Sequence, residues 1–255
     1  MDIETMPRGG FDASWLDRQL QTDRPEYLDR DDVDDRIKRQ VIRSLDLMGR
    51  ILRDHDHLAA RALELVADIP DPKILELGAG HGGLSRKLLE RHPTAQVTVT
   101  DVDPVSVSNI ASGDLGSHPR AVVRHMDATD IDAPDRSYDL ALFALAFHHL
   151  PPVPAAGVLA EGTRAANKLF ICDLRRPPAP LHLIRLATIF PFALVLPFAH
   201  DGLISSLRAY GPSGFRALAA HADPTIAVEF SRLGRNQVVV AQRRRPSPSR
   251  STGAA

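Results

Sequence analysis

The residues of this chain best suited to chemistry are three carboxylates and a pair of histidines, each placed where a short apolar run ends. The first carboxylate, Glu76, lies in the segment 74–85, ILELGAGHGGLS, and Gly78, Gly80 and Gly82 follow it at every second position. Glycine has no Cβ and tolerates φ > 0, so a strand that ends this way brings bare backbone close to a ligand. The same stretch fits Gly78-x-Gly80-x-x-Gly83, the spacing of a dinucleotide site, so the glycines alone leave two cofactor classes open. Glu76 weighs between them: a carboxylate there is awkward beside a pyrophosphate and suits a ligand with a cationic end. Asp101 closes the run VTVTD, 23 positions after Gly78. Its two oxygens can accept from both hydroxyls of a cis-diol. Asp103, next to Pro104, reads as the cap of a following helix. Asp127, in HMDAT, can accept from an exocyclic amine or simply close a turn, and the residues alone favour neither. His148 and His149 end the segment YDLALFALAFHHL. Adjacent histidines are expected to point in different directions, so no metal is expected, and no other cluster has metal-ligand spacing. One of the pair can orient or deprotonate a substrate; each taken singly also reads as a packing or capping histidine.

Elements that could position these residues are visible in the pattern. From Lys73 onward short apolar runs alternate with helical ones. Strands are predicted at 73–77, 96–100, 121–126, 138–143 and 168–173, and helices at 82–91, 104–111 and 154–166, with His92-Pro93 and Asp103-Pro104 as stop and start signals. Such alternation predicts an α/β fold, a parallel sheet with helices on both faces, a central first strand and ligands at the carboxyl ends of the strands. The chain closes differently: runs at 225–231 and 237–242, joined by LGRN, predict an antiparallel hairpin. Before the sheet, residues 1–31 mix Gly, Pro and charge around Trp15 and are expected to be loose. Residues 32–69 are expected to form a helical cap, with an amphipathic helix at 33–52 and a shorter one at 58–67. After it, 243–255 is basic and Pro/Ser-rich and is expected to be a disordered tail.

Composition narrows the classes. At 255 residues with 44% hydrophobic residues the chain can bury a sizeable core, and a net charge of −1 gives no basic field for nucleic acid. One cysteine, Cys172, lies in an apolar run, so there is no internal disulfide, and a buried inert thiol in a reducing, cytoplasmic setting is expected. The acidic, polar start MDIETMPRGG is not a secretory signal.

With Glu76, Asp101, Asp127 and the 138–150 segment in this order, the chain resembles the class I S-adenosylmethionine-dependent methyltransferases over about residues 70–242. E-x-G-x-G-x-G matches that family's first motif, and the closing hairpin matches its departure from a nucleotide-binding sheet. The resemblance implies a Rossmann-like seven-stranded sheet, mostly parallel with an antiparallel last strand, helices on both faces and an N-terminal helical extension. It implies S-adenosylmethionine as cofactor, with Gly78, Ala79, Gly80 and Gly82 along its methionine portion. Glu76 would serve the ammonium through water or backbone. Asp101 would hold the ribose diol beside Val102, and Asp127 the adenine amine beside Ala128. Phe143 and Ala144 would lie under the cofactor near the transferring methyl.

The expected reaction is in-line transfer of a methyl group to an O, N or C nucleophile, in which alignment and exclusion of water matter most. His148, His149, His200 and Tyr210 are candidate bases. No N/D-P-P-Y/F/W segment follows the fourth strand, which argues against amine methylation on adenine or glutamine. That segment is closer to those of ubiquinone/menaquinone and general small-molecule methyltransferases. Residues 177–216 hold an apolar insertion interrupted by Pro191 and Pro197, whose fully apolar stretch, 189–199, is too short to span a bilayer. It reads as a buried helix pair or as the wall for an apolar acceptor, aromatic, quinone-like or polyketide-like, with peripheral membrane contact. His200 and Asp201 either face that pocket or cap a helix. Two other readings stand beside this one. A NAD(P)-linked oxidoreductase would want Tyr-x-x-x-Lys, and no tyrosine here has a lysine four residues on. A non-catalytic cofactor-binding scaffold would keep the same carboxylates.

Overall fold

The computed structural model describes residues 2–30 and 32–244, so the expected tail lies outside the described residues from 245 onward. Seven strands form one sheet: β1 (Lys73–Leu77), β2 (Gln96–Asp101), β3 (Ala121–His125), β4 (Tyr138–Ala144), β5 (Ala166–Leu174), β6 (Ile226–Leu233) and β7 (Asn236–Arg243). Their order is β3-β2-β1-β4-β5-β7-β6. The first five pair in parallel, while β7 runs antiparallel to both β5 and β6. The predicted mixed sheet and its closing hairpin are therefore present, and Gly234 turns that hairpin with φ 56°.

β1, β4 and β5 read as nearly continuous apolar runs because helices cover both faces of the sheet. On one face α6 (Pro152–Ala165) and α9 (Pro212–Ala222) enclose a core of Leu75, Leu77, Phe147, Tyr210 and Phe215. On the other, α3 (Asp54–Leu63) and α4 (Gly83–Arg91) enclose Leu58, Ile74, Leu88, Val97 and Phe170. α5 (Pro104–Ala111) follows β2, and Asp103 caps it as expected, accepting the N–H groups of Val105 and Ser106. The amphipathic N-terminal helix is α2 (Asp35–Leu52). Val41 is buried and Ile42 exposed, whereas the side chains of Leu45, Met48, Ile51 and Leu52 lie outside the described residues.

The first departure from the sequence reading is the segment before α2. Rather than loose, it is packed: Ile3 and Met6 join the larger core cluster, and α1 (Trp15–Gln19) is held by buried Arg176. The Arg176 guanidinium donates to the Asp17 carboxylate at 2.9 Å and to the carbonyls of Asp17, Leu20, Leu207 and Ala209. Arg8 donates to the carbonyls of His148 and Leu150. Arginine–carbonyl contacts leave no periodic trace, which is why hydrophobic pattern reading missed the segment.

The second departure is the apolar insertion. It forms α7 (Ala179–Ala193) and α8 (Pro197–Arg208), which pack on each other. α8 is buried in part, but Leu181, Ile184, Phe190, Phe192, Leu194 and Val195 are more than half exposed. A buried helix pair is thus not what forms. Among the described residues no helix is long and apolar enough to cross a membrane.

Arg176→Met should leave Asp17 and several carbonyls buried without a partner, at a cost of about 3–5 kcal/mol. Tm should fall by about 10 °C for a chain of this size, and trypsin should cut more readily at Arg18. An unchanged melting curve and digest would show that the segment is not held by this guanidinium.

Candidate functional site

The carboxyl ends of β1, β2 and β4 lie side by side, because Leu77 pairs with Phe143 and Glu76 with Val99. β1 turns into α4 through three left-handed residues, Gly78 (φ 64°), Gly80 (φ 58°) and Gly82 (φ 76°), of which Gly82 caps α4. A side chain at Gly82 would collide with Leu115, whereas a Cβ at Gly80 would meet nothing within 4 Å. The loop is therefore packed beneath and open above, a cradle for a group laid against its backbone.

Asp101 binds this loop to β2. Its carboxylate accepts the Gly80 N–H at 2.8 Å and the Asp103 N–H at 2.9 Å, one on each oxygen. A carboxylate has about four lone-pair sites, so both oxygens keep capacity for a diol. Val102 beside it is exposed and apolar, suited to a flat ring. At the end of β3, Asp127 is exposed and uses one oxygen to accept the N–H and hydroxyl of Thr129. The turn-closing reading of Asp127 is thus what the contacts show, and its second oxygen keeps acceptor capacity, with Ala128 alongside. Glu76 is buried and accepts from the Ser85 hydroxyl. Burial, only partly offset by Ser85, pushes its carboxyl up to about 7. A cation beside it would restore its charge. The residues present fit S-adenosylmethionine: an open glycine cradle, a diol acceptor, an amine acceptor and a buried acid lacking a cation.

At the end of β4, Phe143 is buried and packs within reach of Gly78, and Ala144 is half-buried. Leu145 then adopts a left-handed conformation, φ 58°, with its N–H on the Cys172 carbonyl at 2.7 Å. The chain enters a 3-10 turn, Phe147–His149. Here the expectation of diverging histidines fails. The two rings lie 4.3 Å apart, inclined at 38°, because the tight turn carries them to one side rather than alternating them as a strand would.

Each ring is held by a carboxylate. Asp173, at the end of β5, accepts both the His148 N–H (2.6 Å) and its Nδ1 (2.7 Å). Asp29 lies 3.0 Å from His149 Nδ1 and accepts from Arg208. Between the rings stands buried Glu26, 3.4 Å from His148 Nε2 and 4.0 Å from His149 Nε2. Burial opposes a charge on His148, but Asp173 and then Glu26 outweigh it and push the imidazole up to about 9. In this state it is a donor at both nitrogens. Burial likewise opposes charge on Asp29, yet His149 and Arg208 hold it down at about 2.

The other two candidate bases have structural work. Tyr210 is fully buried among Phe147 and Phe215, under the Arg8 guanidinium, and its hydroxyl donates to the Leu150 carbonyl. Burial pushes its ionisation upward, so it is not the base it was expected to be. His200 lies in the first turn of α8, stacked on Tyr27 at 3.9 Å, and Asp201 accepts the Tyr27 N–H. Both therefore fasten the N-terminal segment. Cys172 is the inert thiol expected, pushed up to about 12 by burial. Sequence reasoning missed Glu26, Asp29 and Asp173. Only Asp173 left a signal, as an acid closing a strand.

Residues 74–168 match the family described as methyltransferase domain. The chain is 27% identical over 215 residues to the demethylmenaquinone methyltransferase of Thermus thermophilus, covering 78% of this chain and 96% of that protein. It is 32% identical over 132 residues to the trans-aconitate 2-methyltransferase of Streptomyces avermitilis, spanning about half of either chain (46% and 48%). Among solved structures, the plantazolicin methyltransferase BpumL in complex with SAH superposes with a TM-score of 0.60 at 12% identity, over 81% of this chain and 90% of that one, a likeness of fold.

The raised Glu76 carboxyl has a thermodynamic signature. Its folded state holds a proton that the unfolded state releases above its ordinary 4.5. The contribution of Glu76 to stability should therefore be fully present below that value and be lost, by up to about 3 kcal/mol, as pH rises through about 7. Glu76→Gln should flatten the slope. Parallel slopes for the two proteins in urea melts between pH 5 and 8 would refute the shift.

Proposed function

We propose that the chain is a class I S-adenosylmethionine-dependent methyltransferase whose acceptor is an apolar small molecule, aromatic, quinone-like or polyketide-like. The observation that carries this reading is the exposed apolar face of α7. Eight large apolar side chains between Leu181 and Leu196 stand in solvent, in a segment that leaves β5 at the carboxyl edge of the sheet. α8 packs on the 3-10 turn that bears the histidines, so this face belongs to the acceptor end of the site. An apolar patch of this kind marks a surface for a greasy ligand or a lipid surface from which one is drawn. The name of the Thermus thermophilus relative, which aligns along most of the chain, supports an acceptor of quinone type.

When bound, the cofactor supplies a methyl group on a sulfonium. The chain's residues do the rest. The glycine turn and Glu76 receive the amino-acid end, Asp101 and Val102 the ribose, and Asp127 and Ala128 the adenine. Phe143 and Ala144 set the floor beneath the reacting centre. Of the four candidate bases, His149, in the 3-10 turn that follows β4, keeps a partly exposed ring. It is the group we assign to the polar end of the acceptor.

S-adenosylhomocysteine should raise Tm whereas NAD does not. Asp101→Ala should weaken S-adenosylhomocysteine binding by about 1–3 kcal/mol in calorimetry; unchanged affinity would remove Asp101 from the ribose.

The acceptor is tested separately. Incubation with S-adenosylmethionine and panels of phenols, quinones and lipid extracts, read by mass spectrometry, should yield a methylated apolar product. Phe190→Ser/Phe192→Ser should lower its turnover while leaving S-adenosylhomocysteine binding intact. Methylation confined to small hydrophilic acids would overturn the apolar reading.

A further inference from the structure

The polar cluster beyond β4 is more than a base and its partner. Glu26, His148 and His149 each offer one ligand atom, and these atoms all lie within 4.8 Å of one another. The geometry around them is directional. Both histidines have Nδ1 engaged by a carboxylate, Asp173 at 2.7 Å and Asp29 at 3.0 Å. That makes Nδ1 the donor on each ring and turns both Nε2 atoms toward Glu26, where an ion would take the place of the proton on His148 Nε2. Carboxylates behind histidines in this manner orient imidazoles and raise their basicity toward a cation. Glu26 is itself held by the Ser205 hydroxyl at 2.6 Å, and Asp29 by Arg208 at 3.1 Å.

The charge balance points the same way. Three carboxylates, Glu26, Asp29 and Asp173, face the two rings, against the guanidinium of Arg208, while that of Arg8 binds the turn from its backbone side through the His148 and Leu150 carbonyls. A proton on His148 answers part of that excess, but it reaches Glu26 alone and leaves His149 Nε2 at 4.0 Å. An ion between all three would answer more. Ligands bound at about 2.0–2.1 Å in a tetrahedron lie about 3.4 Å apart. His148 Nε2 and Glu26 Oε1 are already 3.4 Å apart, while His149 Nε2 stands 4.0 Å from the second oxygen, Oε2, and within 4.8 Å of the other ligand atoms, so its ring must swing inward to complete the set.

We propose that Glu26, His148 and His149 form a divalent transition-metal site with three protein ligands and at least one open position. Two imidazoles and one carboxylate suit Zn²⁺ and its first-row neighbours rather than Mg²⁺ or Ca²⁺, which take oxygen ligands. The ion ties the N-terminal segment to the turn after β4. The site stands whatever the methyl acceptor is, because it is built from this chain alone.

The test is metal binding by the full chain. Protein stripped with a chelator, then dialysed against Zn²⁺ at pH 7.5, should retain one equivalent by elemental analysis. Zn²⁺ should raise Tm, Mg²⁺ should not, and Co²⁺ should give the visible absorption of a four- or five-coordinate nitrogen/oxygen site. Glu26→Gln/His149→Ala should lower Zn²⁺ affinity by at least tenfold in calorimetry, while His221→Ala, at an exposed histidine elsewhere, should not. Should the double variant misfold, His149→Gln alone, at the accessible ring, serves the same comparison. Less than a tenth of an equivalent retained by folded wild-type protein would overturn the site, as would equal affinity in the ligand variants.

Discussion

The whole arrangement rests on β1 lying between β2 and β4 in parallel. Parallel neighbours end on the same side, so Glu76, Asp101 and Phe143 reach one edge although they come from three separate stretches of chain. The register is not negotiable. Ile74, Leu75 and Leu77 have no exposure, and a slip of one residue would exchange the two faces of a strand that fills two cores. From that fixed end the chain must reverse at once into α4 under Leu115. Three left-handed glycines are the means of doing so, and the open space above Gly80 is the by-product that a ligand can use.

Burial acts in opposite senses on the acids of this edge, and the difference lies in what stands opposite each. Glu76 has a hydroxyl for company and is pushed toward its neutral form. Glu26 is buried too, yet two histidines outweigh burial and draw it below its ordinary range. The first acid has no ring nitrogen beside it; the second has the Nε2 atoms of two histidines from its own chain. Two electrostatic environments therefore divide the site. One half, the glycine turn with Glu76, Asp101 and Asp127, stands on β1, β2 and β3. The other half stands on β4, β5 and a segment that arrives from the N-terminus.

The first half was legible in the sequence because its signals are local. Gly78, Gly80 and Gly82 follow a strand directly, Asp101 and Asp127 close strands, and Asp103 caps a helix whose first residue is proline. The second half was not, because its contacts are between residues far apart in the chain. Glu26 meets His148 across 122 positions, and nothing near Glu26 announces it. Arg8 and Arg176 hold the segment through carbonyls, which have no residue type. Tyr210 looked reactive by its chemistry and is disarmed by its surroundings. The apolar run at 189–199 was legible as apolar but not as exposed, since exposure depends on what else packs there, and on the outer side of α7 little does.

One local feature joins the two halves. Leu145 adopts a conformation that a branched side chain disfavours, at a cost of about 1–3 kcal/mol, and its N–H is secured by the Cys172 carbonyl of the neighbouring strand. That reversal ends β4 abruptly and drops the chain into the 3-10 turn. Without it, β4 would continue and His148 and His149 would point to opposite faces, as successive residues of a strand do. With it, both rings fall on one side, Asp173 of β5 meets His148 through backbone and ring together, and Glu26 is left between them. The strained residue thus turns a strand end beside the glycine cradle into a polar wall of histidines and carboxylates on the same sheet edge.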